Sequence, residues 1–313
     1  MQADPGTLDR ERPGRRGFAR AAVMLAAALA ATLVMLHGCR AAPVAQAGVT
    51  IADDAGDSVK VRLPAHRIIS LNPAATELLF AIGAGKDVVG RTTWCDYPPE
   101  ALAVPSLGDG INPNLEAIVA RKPDLVLLYY SAQNVEAVRR LKQLGIPTLR
   151  LRTDSLSDIP RLARLFGRLT GETAAADSVV RTFAAELAQA TVRPEGARPT
   201  VFLLVWDQPP MTVGRGSFLT ELLERAGAEN LFADVAGSSA PVSIEAVAAR
   251  NPDVILALGA EPPAFLTRPE WQVVPAVRAR RLVREEGSEF SRPSPRAPAA
   301  IREFQKAMAE ARQ

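Results

Sequence analysis

Two glutamates are the first residues whose type and spacing suggest chemistry. Glu116 and Glu245 stand 129 positions apart inside a stretch the chain writes twice. Asn114-Leu-Glu-Ala-Ile-Val-Ala-Arg-Lys-Pro-Asp124 returns as Ser243-Ile-Glu-Ala-Val-Ala-Ala-Arg-Asn-Pro-Asp253. A lone glutamate in a first helical turn is ordinarily matched to the helix dipole, which is worth ~0.3–1 kcal/mol. Two of them at equivalent places on related lobes add a second possibility. They form a pair of acidic knobs for arginine pockets on a pseudo-symmetric partner, with bidentate pairing to set the register.

A second set of residues could hold a ligand. Loops that follow predicted strands carry Asn72-Pro73, Trp94 and Tyr97, Tyr130, Trp206 and Arg292. In doubly wound sheets ligands lie outside the carboxyl ends of the strands, and aromatic surface with few charges suits a large, partly apolar guest. Each aromatic taken singly could equally close a domain core. Four of the six Trp and Tyr residues fall at predicted strand ends, and this clustering puts a ligand cleft on a par with that plainer reading.

Catalytic readings are weak. Past residue 38 the chain keeps one histidine, His66, beside a strand start, so Ser-His-Asp chemistry lacks a local partner signal. Zinc sites draw on several His or Cys, and the chain cannot furnish them. No Gly-rich phosphate loop opens a helix, because Gly83-Ala-Gly85 ends one. Tyr129-Tyr130 could ligate ferric iron, but adjacent strand residues face opposite ways, so at most one would face a given site. No enzymatic activity, resident cofactor or metal is expected.

The elements that must position these groups follow from pattern. Asn114 or Ser243 caps a helix, a proline stops it, and a Val/Ile/Leu run follows as a buried strand. A further pair, Thr76-Glu-Leu-Leu79 and Thr220-Glu-Leu-Leu223, opens related helices upstream. Strands alternating with helices predict an α/β fold of two similar doubly wound lobes with a cleft between them. The predicted organisation is a leader over residues 1–39, a tether and hairpin over 40–63, and a first lobe over 64–157. Linking helices occupy 158–196 and a second lobe 197–313. The helix from Glu172 to Thr191, with Val179, Phe183 and Leu187 on one apolar face, is long enough to act as a rigid strut at ~30 Å. Weaker patterns predict loops over 207–216 and 236–241 and a helix over Trp271–Arg278.

The leader is basic, then uncharged from Ala21 to Gly38, and ends at Leu36-His-Gly-Cys39, the form of a bacterial lipidation site at Cys39. A retained membrane anchor is the alternative, since the apolar run is near the lower length for a span. Gly14-Arg-Arg-Gly-Phe18 leaves twin-arginine export open beside the general route. The chain has 313 residues and a net charge of +3; removing the leader takes five basic and three acidic residues and leaves 32 against 31. That near-neutral balance gives no reason to expect nucleic acid or a polybasic membrane surface. With Cys39 lipidated, Cys95 has no disulfide partner.

From about His66 onward the chain resembles the helical-backbone substrate-binding proteins of metal-chelate ABC importers, above all their cobalamin-binding branch. The resemblance rests on Arg67-Ile-Ile-Ser-Leu-Asn-Pro-Ala-Ala-Thr-Glu-Leu78, Asp96-Tyr-Pro-Pro99, the two repeat copies, Pro209-Pro210 and Ser294-Pro-Arg296. It implies a monomeric, lipid-tethered periplasmic protein that delivers a chelate to a permease dimer and its ATPase. It implies permease docking through Glu116 and Glu245, and ligand contacts that include Asp109 in the loop from Gly108 to Asn112. The chain departs from the cobalamin-binding branch near Asp109, Ser239 and Ser288. Another corrinoid, haem or a ferric siderophore is therefore compatible, as is a sensor lipoprotein that uses the same cleft without transport.

Overall fold

A computed structural model describes residues 48–259 and 264–313. The predicted leader, Cys39 and most of the tether lie outside the described residues. A hairpin comes first, β1 (Gly48–Ala52) against β2 (Ser58–Arg62). Its turn is built by Asp53, whose carboxylate accepts from the amides of Ala55 and Asp57 at 3.0 and 2.8 Å and also holds Arg150.

The first lobe is a parallel sheet in the order β4-β3-β5-β6, with β3 (Ile68–Leu71), β4 (Val88–Arg91), β5 (Leu125–Tyr129) and β6 (Thr148–Leu151). Its helices are α1 (Pro73–Ala81), α2 (Leu115–Ala120) and α3 (Val135–Gln143). Burial alternates along each strand. Ile68, Leu125 and Leu127 enter one core, and Ile69, Leu71, Val126 and Leu128 enter the core on the opposite face. Both faces are covered, which is why these strands read as continuous apolar runs.

The second lobe repeats the plan. Its main sheet runs β10-β7-β12-β13, again all parallel, with β7 (Thr200–Leu204), β10 (Glu229–Asn230), β12 (Val254–Leu258) and β13 (Leu282–Glu285). Helix α6 (Phe218–Arg225) occupies the place of α1, and α7 (Ile244–Arg250) that of α2. Here too alternate residues divide between two cores, Val201 and Leu203 on one side and Phe202 and Leu204 on the other.

Between the lobes run α4 (Asp158–Thr170) and α5 (Thr173–Ala190). At 18 residues α5 is roughly 27 Å long. Ala176, Val180 and Phe183 are buried in the first lobe, Ala190 in the second, and Leu187 packs against both cores. One continuous helix therefore carries an apolar face shared by two hydrophobic cores. The closing helix α9 (Ala297–Ala311) straddles them as well, with Ala297 in the first core and Ile301 and Phe304 in the second.

Four local expectations are corrected. Helix α1 begins at Pro73, ahead of the Thr76-Glu-Leu-Leu79 stretch expected to open it, because Asn72 caps it and proline's fixed φ suits the first helical position. The stretches read as loops over 207–216 and 236–241 contain strands β8 (Trp206–Asp207), β9 (Pro210–Thr212) and β11 (Ala240–Pro241), which form an antiparallel sheet. Segments of two or three residues with proline at their edges are too short to show a period of two. Strand β7 thus ends at Leu204, and Trp206 belongs to this small sheet. Finally, Pro275 divides the expected helix into a 3₁₀ segment, Pro269–Val273, and α8 (Pro275–Arg278).

Candidate functional site: a cleft between two equivalent helix ends

The carboxyl end of β3 leads straight into α1 and that of β7 into α6 by way of β8 and β9, and both helix starts face one cavity of about 410 Å³. Asn72 caps α1 by accepting from the Ala75 amide at 3.3 Å, and Ser217 caps α6 by accepting from the Leu219 amide at 3.2 Å. Asn72, Pro73 and Ala74 line the first-lobe wall, and Gly216, Ser217 and Phe218 the second. These triplets are the same step of the internal repeat, 144 positions apart. Trp94, Tyr129, Thr153, Asp154 and Arg292 complete much of the lining.

A second cavity of about 510 Å³ shares Pro73, Trp94 and Tyr129 with the first and extends it along the first lobe past Leu71 and Ile111. Its rim is the loop around Gly110, where a Cβ would come within 2.9 Å of the Leu71 carbonyl oxygen. Only glycine allows that approach. Trp94 is 64% exposed and Tyr129 39%, so their rings are available to a guest.

The polar groups around the cleft are largely committed. Tyr129 donates from Oη to Asp154 Oδ1 at 2.5 Å. Burial first, and then that bond, push its phenol well above the ordinary range, so it stays protonated. Arg292 donates from Nη1 to Asp96 at 3.0 Å and lies 3.4 Å from Glu77. Asp109 accepts from the amides of Asn112 and Ile111, bonds that hold its carboxyl below the usual range and make it a turn former. Among the described residues lining the two cavities, Arg292 is the one cation, against Asp109 and Asp154.

The residues expected from the sequence divide accordingly. Asn72, Pro73, Trp94 and Arg292 line the first cavity, and Asp109 the second. Tyr130 does not: it turns to the opposite side of the chain from Tyr129, with the Arg152 guanidinium 4.4 Å over its ring. The alternation rule allowed one of the pair, and it is Tyr129 that lines both cavities. Tyr97 lies beneath Arg296, at 3.9 Å, and lines a separate cavity with Phe80. Trp206 is 62% exposed, donates its indole N–H to the Gln208 carbonyl at 2.9 Å, and lines neither cleft cavity. Ser217 and Phe218 were missed, although the 144-residue offset that pairs Thr76 with Thr220 would have found them. Among the described residues no group of three or more His, Cys, Asp or Glu is placed to hold a metal ion.

On the outer surface, Glu116 and Glu245 occupy the first turns of α2 and α7, behind caps Asn114 and Ser243 that accept at 3.0 and 3.2 Å. Both glutamates are exposed, and neither has an ion pair among the described residues. Its own backbone amide and then Ser243 hold the Glu245 carboxyl below the ordinary range.

Two like lobes on a stiff helix, with helix starts converging on a shared cleft, define a two-lobed ligand-binding protein. The chain belongs to the periplasmic binding protein family, whose model matches residues 68–285. It is 31% identical over 265 residues to the ABC transporter substrate-binding lipoprotein YvrC of Bacillus subtilis, covering 82% of this chain and 84% of that one. It is also 31% identical over 254 residues to the vitamin B12-binding protein of Pectobacterium atrosepticum, covering 78% and 89%. The periplasmic heme-binding protein RhuT of Roseiflexus superposes with a TM-score of 0.71 at 27% identity, over 79% of this chain and 99% of that one.

Proposed function

We propose that this protein is the extracytoplasmic binding component of an ABC importer and that its cargo is a corrinoid, cobalamin foremost. The observation that carries the choice of cargo is the charge state of the cleft. Flat aromatic surface from Trp94 and Tyr129 is offered beside neutral polar groups from Asn72, Thr153 and Ser217. Arg292, the one cation among the described lining residues, is already shared by two carboxylates. A planar guest with an amide-rich periphery suits such a wall, whereas haem propionates or a multiply anionic siderophore would face no free counter-charge. Tyr129, held protonated by burial and then by its bond to Asp154, adds no negative charge of its own to the cleft. The similarity to vitamin B12-binding proteins supports the same cargo.

Loaded protein docks on its permease through Glu116 and Glu245, tethered through Cys39. No bond in the cargo is made or broken. The decisive measurement is a visible-absorbance titration of purified protein with cyanocobalamin, haemin and a ferric hydroxamate. Saturable one-to-one binding of the corrinoid alone is expected; binding of haemin alone would refute the assignment. Reversing both glutamates to lysine should leave that titration unchanged and abolish uptake in cells. Corrinoid binding with no transport in the wild type would favour the sensor reading.

A further inference from the structure

The two Thr-Glu-Leu-Leu copies contain a device that ligand binding does not explain. In each copy the threonine is buried and ties its helix to its own lobe. Thr76 donates to Ser70 Oγ at 2.8 Å, and Thr220 donates to the Gly214 carbonyl at 2.8 Å. In each copy the next residue, a glutamate, reaches the other way. Glu77 accepts from Arg296 Nε and Nη2 at 2.9 and 2.7 Å, and from Arg292 at 3.4 Å. Both arginines sit in the segment that runs from Phe290, anchored in the second core, to Ala297, which touches the first at the start of α9. Glu221, on the second lobe, accepts from the Leu156 amide at 2.9 Å and the Ser155 hydroxyl at 3.1 Å, and Leu156 is buried in the first core. Each lobe therefore sends the same glutamate of the same helix across the seam.

We infer that Glu77 and Glu221 are a repeat-related pair of clasps that set the angle between the lobes, one permanent and one releasable. Their surroundings differ in the way that division requires. The Glu77 side chain is 2% exposed and faces two guanidiniums, with Arg296 further held by Glu289 at 2.6 Å and stacked on Tyr97. Opening that contact would strand buried charges, which is costly. The Glu221 side chain is 30% exposed; across the seam it holds a neutral amide and a hydroxyl, both of which water can replace, and its one charged partner among the described residues, Arg225 at 3.9 Å, is on its own helix. Any widening of the cleft pivots at Glu77 and proceeds by release at Glu221. The spacing of the docking helices α2 and α7 is governed by the same contact. This mechanism is independent of which ligand is carried.

The test needs no ligand. Nitroxides are attached to keto amino acids placed at Ala120 and Ala249, equivalent exposed positions at the ends of α2 and α7. Distance distributions from electron spin resonance are then compared with amide exchange at Leu156. Glu221→Ala is expected to broaden the distribution toward longer distances and to speed Leu156 exchange by about tenfold or more. Glu77→Gln is expected to remove the pivot and split thermal unfolding into two transitions. If that variant does not accumulate, Arg296→Lys, which cannot pair in two-pronged fashion, should lower the melting point while leaving Leu156 exchange at the wild-type rate. An unchanged distribution and unchanged Leu156 exchange in Glu221→Ala would overturn the inference, as would broadening by Arg296→Lys that exceeds that of Glu221→Ala.

Discussion

Replacing Trp94 by alanine is the sharpest probe of where the ligand sits. A tryptophan offers up to about 250 Å² of surface, and Trp94 leaves 64% of its own exposed. About 160 Å² is thus available for a guest to cover. If the ligand covers half of it, at ~25 cal/mol per Å² the contact contributes ~2 kcal/mol. That corresponds to a loss of affinity of roughly 30-fold. Trp94 anchors no core, so melting should barely move. The control is Trp206→Ala, because Trp206 is almost equally exposed at 62% yet lines neither cavity. Its expected effect on affinity is under about threefold, the scale of an ordinary surface change. Both variants are titrated with cyanocobalamin by absorbance or calorimetry, with thermal melts run in parallel. Wild-type affinity in Trp94→Ala would refute the placement of the cleft. The reverse ranking of the two tryptophans would move the site to the small antiparallel sheet.

Three further outcomes are expected. Glu285 has its pKa pushed up to about 7 by burial and then by Glu303 and Glu289, so the folded protein binds that proton more tightly than the unfolded chain. Stability from this group is therefore greatest below about pH 4.5 and declines as pH rises toward 7; Glu285→Gln should raise the unfolding free energy at pH 8 by ~1–2 kcal/mol, after allowance for solvent around a half-buried group, and change little at pH 4.5 in urea titrations. Removing the caps of α2 and α7, by Asn114→Ala or Ser243→Ala, should each cost ~1 kcal/mol in the same assay, and no loss in either would contradict the capping geometry. Gly110→Ala should push the loop off the Leu71 carbonyl and weaken ligand binding several-fold with a small change in melting, which a titration beside a thermal scan will show.

Much of the architecture was legible in the order of residues because its signals are local. Caps at Asn114 and Ser243, prolines at Pro123 and Pro252, and apolar runs between them mark helix and strand within a dozen positions, and their repetition marks two lobes. The apolar face of the 173–190 helix shows its strut-like character through its spacing alone. The same locality limits the reading. Strands β8, β9 and β11 are too short to carry a period, so their sheet emerges only once Met211 meets Trp206 and Pro241 across it.

The choice between Tyr129 and Tyr130 rests on where the cleft lies, which is set by residues as distant as Asn72 and Arg292 and not by the pair itself. The chain alone thus determined two related α/β lobes, the paired glutamates Glu116 and Glu245, and loops rich in aromatic surface. Only the tertiary structure decided which aromatics line the cleft, that Arg292 is already paired, and that Glu77 and Glu221 cross between lobes. Those contacts join residues such as Glu77 and Arg296, 219 positions apart, and no local pattern encodes a partner that distant.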